Sequence, residues 1–468
     1  MAVKDIEAQF IDVSDLRVGM YVYLDLGWMK HPFALNNFKI TSCDQIDTIL
    51  QLGVNRIRWS PEKSDPPPTA KSADNANNAN NANNADNADN SGKAKVGADE
   101  TAGGASAAAT SRKLSTADAP ISAAEAAVQE ENKRQRRALL NSQRAQLDVC
   151  ERQFANASRA YRQAVDAVRA QPTAALAQAE QAVNHMVGKL LEQEESAIRL
   201  LSENAGEKAS LHAVNVTTIS LLLGKALGYD ATQLAELGLG ALLHDIGKLA
   251  LPERLRWKDG TFNHAERHLH EEHVIRGIEY ARAMKLSPGA QLIIAQHHEL
   301  ADGHGYPQKL AGHAIAPAAR IVGLVNLYDM LCNPTNPAQA ITPHEALSTI
   351  FAQMKRQFDL AVLMPFIRMM GVYPPGSIVE LTDGRFALVV SVNSSRPLKP
   401  HIIIHEPSVP RDEAIVVDLE VMSALGIRRS LKPLQLPKIA FDYLSPRTRI
   451  CYFFERARRA DSAVEEPA

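Results

Sequence analysis

Cysteine is scarce in this chain. Cys43, Cys150, Cys332 and Cys451 are scattered through 468 residues with no C-x-x-C pair. That spacing excludes a disulfide framework and a zinc knuckle, and small buried thiols are the expectation. Long apolar runs are missing as well: no uncharged stretch reaches the roughly 18 residues that a membrane span needs. The opening decapeptide, MAVKDIEAQF, has two acids and no apolar region of the secretory kind. A soluble, cytoplasmic protein is therefore expected. Excess charge is absent too. The formal net charge of -2 supplies no bulk field for DNA or an anionic membrane. What the chain does have is a hydrophobic content of 45%, enough for a sizeable core, and length for more than one domain.

The pattern along the chain divides into five stretches. Residues 1–62 read as a small α+β domain, with a strand over Val18 to Leu24, a helix over Ser42 to Leu52 and a strand over Val54 to Trp59. Residues 63–121 open on Pro66-Pro67-Pro68, then become a near-repeat of Asn, Ala and Asp with almost no large apolar side chain. Such a tract cannot offset its ordering entropy and reads as a disordered linker. Residues 122–204 are charged and helical, broken at Pro172. Val183, Met186, Val187, Leu190 and Leu191 form an apolar stripe there, suited to a core or to a homodimer face. Residues 205–373 keep a helical pattern. Beyond Pro374-Pro375 the period changes to two, so residues 374–468 read as a small β module with a tail; strands are expected at 378–381, 386–392, 401–405 and 415–419. The fold class expected is mainly α, an all-helical domain between two small strand-containing ones.

Histidine is unevenly spread. Ten of the fifteen lie between His212 and His313. Imidazoles clustered with carboxylates are the raw material of a metal site. Ala241-Leu242-Leu243-His244-Asp245-Ile246-Gly247-Lys248 reads as a buried helix. Adjacent His244 and Asp245 point about 100° apart on a helix and can reach two neighbouring ions, which a carboxylate can bridge. Lys248 falls on the same face, where a cation can hold a phosphate oxygen or protonate a leaving oxygen. Gly247 allows a close approach. A second cluster, His297-His298-Glu299, precedes the Gly-rich turn Asp302-Gly303-His304-Gly305-Tyr306-Pro307. His212 and His273 lie outside both clusters. His264, His268, His270, His304 and His313 are expected to be ordinary solvated residues.

His212, the HDIGK run, His273 with Gly277, and the HHE-x-x-DG-x-GYP stretch together resemble the HD-GYP family of cyclic di-GMP phosphodiesterases, a subset of the HD metal-dependent hydrolases. The resemblance covers residues 175–355. Ser14 to Trp59, with Arg17-Val18-Gly19-Met20-Tyr21-Val22 and Trp28-Met29-Lys30-His31-Pro32-Phe33, resembles a small domain that often precedes HD-GYP units. The resemblance implies that His212, His244, His273, His297 and His298 are metal ligands, that Asp245 bridges two divalent ions, and that Lys248 assists the scissile phosphate. Iron or manganese suits so imidazole-rich a set better than magnesium. The loop Asp302, Gly303, Gly305, Tyr306 and Pro307 is implied to face substrate or a GGDEF-type partner.

Three positions depart from the family pattern. The last ligand is usually an aspartate, and here it is Asn326, an uncharged oxygen donor. Asp329, three residues on, shares its side of the helix and is expected to support a ligand or the packing. Thr335 and Ala338 stand where the family places phosphate-gripping cations. Each lost charge-assisted bond is worth on the order of 1.5–3 kcal/mol; Lys309 or Arg320 are the candidates to compensate. Lys208 replaces a glutamate that binds a third metal in some members, which leaves two ions. Two functions follow. One is a two-metal phosphodiesterase acting on cyclic di-GMP to give pGpG or GMP. The other is a weakened or inactive signalling module that binds nucleotide or protein.

Overall fold

The structure, a computed structural model, describes residues 9–24, 37–40, 43–50, 52–65, 123–202, 208–256, 262–393, 396–422 and 424–457. The linker expected over 63–121 lies almost wholly outside these residues, as does the Trp28 to Phe33 segment. The chain divides into two compact units, Met1–Ser122 and Ala123–Ala468.

The first unit is a four-stranded antiparallel sheet with one helix. Its strands are β1 (Gln9–Asp12), β2 (Tyr21–Tyr23), β3 (Asn37–Lys39) and β4 (Arg56–Ser60), in the order β1-β4-β2-β3. Between β3 and β4 runs α1 (Cys43–Leu50). Strand alternation sends Val22 and Ile57 into a core with Met20, Leu24, Ile40 and Ile49. The strand expected from Val18 starts later, at Tyr21, because Gly19 takes a positive φ of 93° in a turn.

The second unit begins with two long helices, α2 (Ala123–Ala167) and α3 (Pro172–Leu191). Pro172 sits in the first turn of α3, where its missing N–H costs nothing. The α3 stripe buries Ala175, Ala179, Val183, Met186, Val187 and Leu190 inside the chain, whereas Leu191 stays exposed. Each large apolar side chain buried this way contributes about 1.5–3 kcal/mol. The residues expected to be wholly helical up to 204 then include a strand, β5 (Ser196–Leu200). Helices α4 (Lys208–Ala226), α5 (Ala231–Leu243), α6 (Glu253–Arg256), α7 (His264–Met284), α8 (Pro288–Gln296), α9 (Pro317–Cys332), α10 (Pro343–Gln353) and α11 (Leu360–Met370) follow. Reciprocal capping boxes open α5 at Asp230, α7 at Asn263 and α10 at Thr342. Among the described residues no helix is long and apolar enough to cross a membrane.

The remaining elements are β6 (Ile378–Leu381), β7 (Phe386–Asn393), β8 (His401–Ile404), β9 (Val416–Asp418), β10 (Ile427–Leu431), α12 (Lys438–Leu444) and β11 (Tyr452–Arg456). β7 is the hub, pairing antiparallel with β6, β5 and β8. β5 in turn pairs with β11, so this sheet is built from both ends of the unit and the helical domain lies between them in sequence. The C-terminal strands therefore belong to the same compact body as the helices. Helix α2 lies against the outer strand: the Gln143 amide donates to the Val416 carbonyl at 2.9 Å and accepts from the Val416 N–H at 2.8 Å.

Candidate metal centre

Helix α5 is apolar because it is the buried floor of the site; Leu237, Leu239, Ala241, Leu242 and Leu243 are all buried. The helix was expected to continue through His244 and Asp245, but it stops at Leu243. Asp245 takes φ -99° and ψ 8°, and a tight 3-10 turn covers Ile246–Ala250. The cause is on the neighbouring helix. A Cβ on Gly247 would stand 1.8 Å from the His273 carbonyl oxygen and 2.4 Å from the Gly277 nitrogen. The backbones of the turn and of α7 touch, so Gly247 and Gly277 are read as one contact. Arg169 and Arg256 hold the turn from outside, both donating to the Leu249 carbonyl, at 2.6 and 3.1 Å.

Asp245 is the centre of the site. Its Oδ2 lies 3.6 Å from His212 Nε2 and 3.4 Å from His244 Nε2. Its Oδ1 lies 3.5 Å from His273 Nε2 and 3.7 Å from His297 Nε2. One carboxylate thus turns an oxygen to each of two imidazole groups. Ligand atoms of His212, His244 and Asp245 converge within 4.8 Å, and so do those of Asp245, His273, His297 and His298. Lys248 Nζ reaches Asp245 Oδ2 at 2.6 Å, which realises the shared face through the 3-10 turn rather than a helix.

The protons on these rings are fixed by their partners. Nδ1 of His244, His273 and His297 donates to the carbonyls of Ala241, His270 and Ile294 at 2.7, 2.6 and 2.9 Å. Nδ1 of His212 donates to Asp329 Oδ2 at 2.6 Å. Every one of these four Nε2 atoms therefore points a lone pair inward. His212 and His244 face each other at 3.2 Å, His273 and His297 at 3.4 Å. Lone pairs at that separation repel unless a cation lies between them. Two nitrogens each about 2.1 Å from one ion, at angles from square to tetrahedral, sit about 3.0–3.4 Å apart. Three buried atoms of the candidate ligands also have no hydrogen-bond partner: Asp245 Oδ1, His298 Nε2 and Asn326 Oδ1. An orphaned buried polar atom costs about 1–3 kcal/mol. The donor set fits divalent ions on both counts.

Electrostatics support neutral imidazoles at His244, His273 and His298. Burial lowers His244, and holds His273 and His298 well below the ordinary histidine range. Burial also acts to lower His212, but the bond and charge of Asp329, with Asp245, outweigh it and leave His212 raised. Burial pushes the Asp245 carboxyl up; the Lys248 ammonium and His244 more than reverse this, and Asp245 stays ionised well below the carboxylate range.

The GYP loop folds back on the histidines. Tyr306 stacks on His298, ring centroids 4.5 Å apart, and its N–H donates to the His298 carbonyl at 3.1 Å. A Cβ on Gly305 would lie 2.5 Å from that same carbonyl oxygen. Gly303 needs its positive φ of 79°. Asp302 and Pro307 face solvent. Glu299 is no ligand: its two oxygens accept from the Gln308 and Leu310 N–H groups at 2.7 and 2.8 Å, bracing the loop.

Asn326 is buried on α9, with its amide oxygen unpartnered. Asp329, one turn on, supports His212, as the sequence led one to expect. Arg320, a candidate to replace the missing phosphate-gripping cations, is instead committed to Asp359 at 2.6 Å and to the Ile315 carbonyl. Lys309 and Ala338 are exposed. His264, His268, His304 and His313 are exposed as expected, while His270 is half-buried, lends His273 its carbonyl and packs its ring against that of His273, centroids 5.1 Å apart. Sequence reasoning missed Asn215, which binds Asp329 from α4 at 2.8 Å. A polar residue between Val214 and Val216, one turn after His212, was the available clue.

Residues 179–362 match the family described as HD domain, which takes in every ligand candidate. Residues 9–179 match a domain of unknown function, DUF3391. The chain is 29% identical over 208 residues to the cyclic di-GMP phosphodiesterase PA4108 of Pseudomonas aeruginosa, covering 44% of this chain and 50% of that protein. It is 27% identical over 192 residues to the cyclic di-GMP phosphodiesterase PdeB of Borreliella burgdorferi, covering 41% and 51%. The chain thus spans about half the length of these curated relatives. A solved structure of a HDG"Y"P protein from Bdellovibrio bacteriovorus is similar at 15% identity and a TM-score of 0.38, covering 76% of this chain and 97% of that one. Residues 179–362 thus match an HD domain, and these curated relatives, both named cyclic di-GMP phosphodiesterases, are of the kind the motifs led one to expect.

Proposed function

We propose that this chain is a metal-dependent phosphodiesterase that hydrolyses cyclic di-GMP to pGpG, GMP or both, in the cytoplasm, with residues 205–373 as the catalytic domain. The observation that carries the reading is Asp245, whose two oxygens face two separate imidazole groups. The relatives named above, both cyclic di-GMP phosphodiesterases, support the substrate.

His212, His244 and Asp245 would hold one divalent ion, and Asp245, His273, His297 and His298 the other, with Asn326 as the further oxygen donor. Iron or manganese suits this set, and when bound supplies Lewis acidity and positive charge for the attacking and leaving oxygens of a phosphodiester. Asp245 keeps the two groups of imidazoles in register. Lys248, now paired with Asp245, is partly exposed and can turn its ammonium to a phosphate oxygen or give a proton to the leaving oxygen. Gly305 and Tyr306 fix His298 and wall the site. Asp302, Gly303 and Pro307 form the rim that substrate or a GGDEF-type partner would meet.

A second reading, a module that binds nucleotide without turnover, is favoured by Asn326, Thr335 and Ala338 together with the commitment of Arg320 to Asp359. One experiment separates the two. The full chain is purified without oxygen, its iron and manganese are measured, and cyclic di-GMP hydrolysis is compared with that of a His244→Ala, Asp245→Ala double variant. The enzyme reading expects a loss beyond the about 10²–10³-fold that follows removal of one preorganised donor. Equal rates sink it, and tight binding of cyclic di-GMP without hydrolysis establishes the second reading.

A further inference from the structure

Asp329 is fully buried, and both of its oxygens are used. Oδ2 accepts from His212 Nδ1 at 2.6 Å. Oδ1 accepts from the side-chain amides of Asn215 and Asn333 at 2.8 and 2.9 Å. Each asparagine lies one helical turn beyond the residue it helps. Asn215 follows His212 on α4, and Asn333 caps α9 after Asp329.

Both amides have a second commitment, and it is to the same short segment. Asn215 donates to the Ile450 carbonyl at 2.7 Å and accepts from the Tyr452 N–H at 2.9 Å. Asn333 donates to that carbonyl at 2.9 Å and accepts from the Ile450 N–H at 2.7 Å. The Tyr452 hydroxyl continues the network to Tyr328 at 3.1 Å and to the Pro375 carbonyl at 3.0 Å. Both N–H donors and the oxygen of each amide thereby have a partner. A network satisfied to this degree is held to one arrangement.

We infer that Asp329 is the positioning residue for His212, and that Ile450 to Tyr452 complete its support through Asn215 and Asn333. The C-terminal segment thus sustains one ligand, His212, in one half of the metal centre and none in the other. His244, His273 and His297 take their orientation from carbonyls three residues earlier in the chain and owe nothing to this network. The inference rests on the metal reading above and assigns a role to the strand-bearing C-terminal segment that the site itself does not reveal.

The test is a manganese titration of the full chain, followed by calorimetry and electron paramagnetic resonance, for wild type, Asn215→Ala, Asn333→Ala and Asp329→Asn. Support of a ligand through its outer partner is worth about 10–100-fold in metal affinity. One of two ions is expected to bind that much more weakly in each variant, the other unchanged, and the spectrum should pass from a coupled pair to an isolated ion. Asp329→Asn keeps the shape of the side chain, so it guards against a fold defect in the alanine variants. In it the downfield proton resonance of His212 Nδ1 is expected to move upfield. Adding Asn333→Ala to Asp329→Asn should weaken the sensitive site little further. Variants that hold both ions as tightly as wild type overturn the inference, as does equal weakening of both sites. A wild-type chain that takes up no manganese overturns the metal reading itself, and the inference with it.

Discussion

The two sides of the candidate metal centre are built in different ways. On the side of His273, His297 and His298, the ligands come from α7 and from the end of α8, and two of the three rings are oriented by a carbonyl three residues earlier in their own segments. On the other side His244 is again oriented by a carbonyl three residues earlier, but His212 is held by a carboxylate 117 residues away, itself held by Asn215 and Asn333, which bond Ile450. The first side is a property of local sequence. The second exists only once the whole unit has closed. The electrostatics set His212 alone apart: burial lowers His244 and leaves His273 and His298 well below the ordinary range, while Asp329 lifts His212 above it.

Driving the two sides apart should have the largest effect. Gly247→Ala puts a methyl group on the His273 carbonyl, against backbone that cannot yield. Overpacking of this kind typically costs about 1–3 kcal/mol. Chemical denaturation should show that loss, and the purified variant should retain little metal at either position. A variant with wild-type stability and metal content would show that the turn and α7 are not tightly coupled.

Asn326→Asp should sharpen the site instead. It adds a charge beside the unpartnered oxygen of Asn326, and the expected gain in manganese affinity is about tenfold, or ~1.4 kcal/mol. Unchanged affinity in a titration would place Asn326 outside the ligand set.

A pH dependence of the metal-free protein sets the opposed contributions of the histidines against each other. His244, His273 and His298 are lowered from 6.5 in the fold, so below that pH the unfolded chain takes up protons that the folded chain refuses. Stability should fall as pH drops through about 6.5, by on the order of 1 kcal/mol per unit for each such group. His212 works in the opposite sense: its contribution is full below 6.5 and fades as pH rises through its raised value. Urea denaturation at pH 5.5 and 7.5 measures the balance. In Asp329→Asn the opposing contribution of His212 is removed, and the loss of stability on acidification should steepen.

This division also explains what could be read in the sequence. The local half was legible: HDIGK, His273 with Gly277, and HHE through GYP carry their geometry in their spacing. Most strands were placed to within a few residues, because alternation is a local property; the strand expected at 415–419 is Val416–Asp418. β5 was not legible. Its five residues follow a charged stretch, and its partners, β7 and β11, lie about 190 and 250 residues further on. The end of α5 at Leu243 was misjudged for a similar reason: the apolar period runs on, and the interruption comes from a helix packed against Gly247. The role of Asp329 was partly visible from its place on α9, but the asparagines that hold it depend on Ile450, which no local pattern connects to His212.

One feature of the fold bears on behaviour in a crowded solution. β9 is the outer strand next to β8, and an outer strand offers free N–H and C=O groups to any extended chain that meets it. The Gln143 amide takes both backbone groups of Val416 with the bonds a neighbouring strand would make. Gln143 thus acts as a stopper on the sheet, with Arg136 and Arg144 of the same helix on the carbonyls of Glu413 and Asp412 just before β9. Without it, the same residues would become a template on which further copies could add.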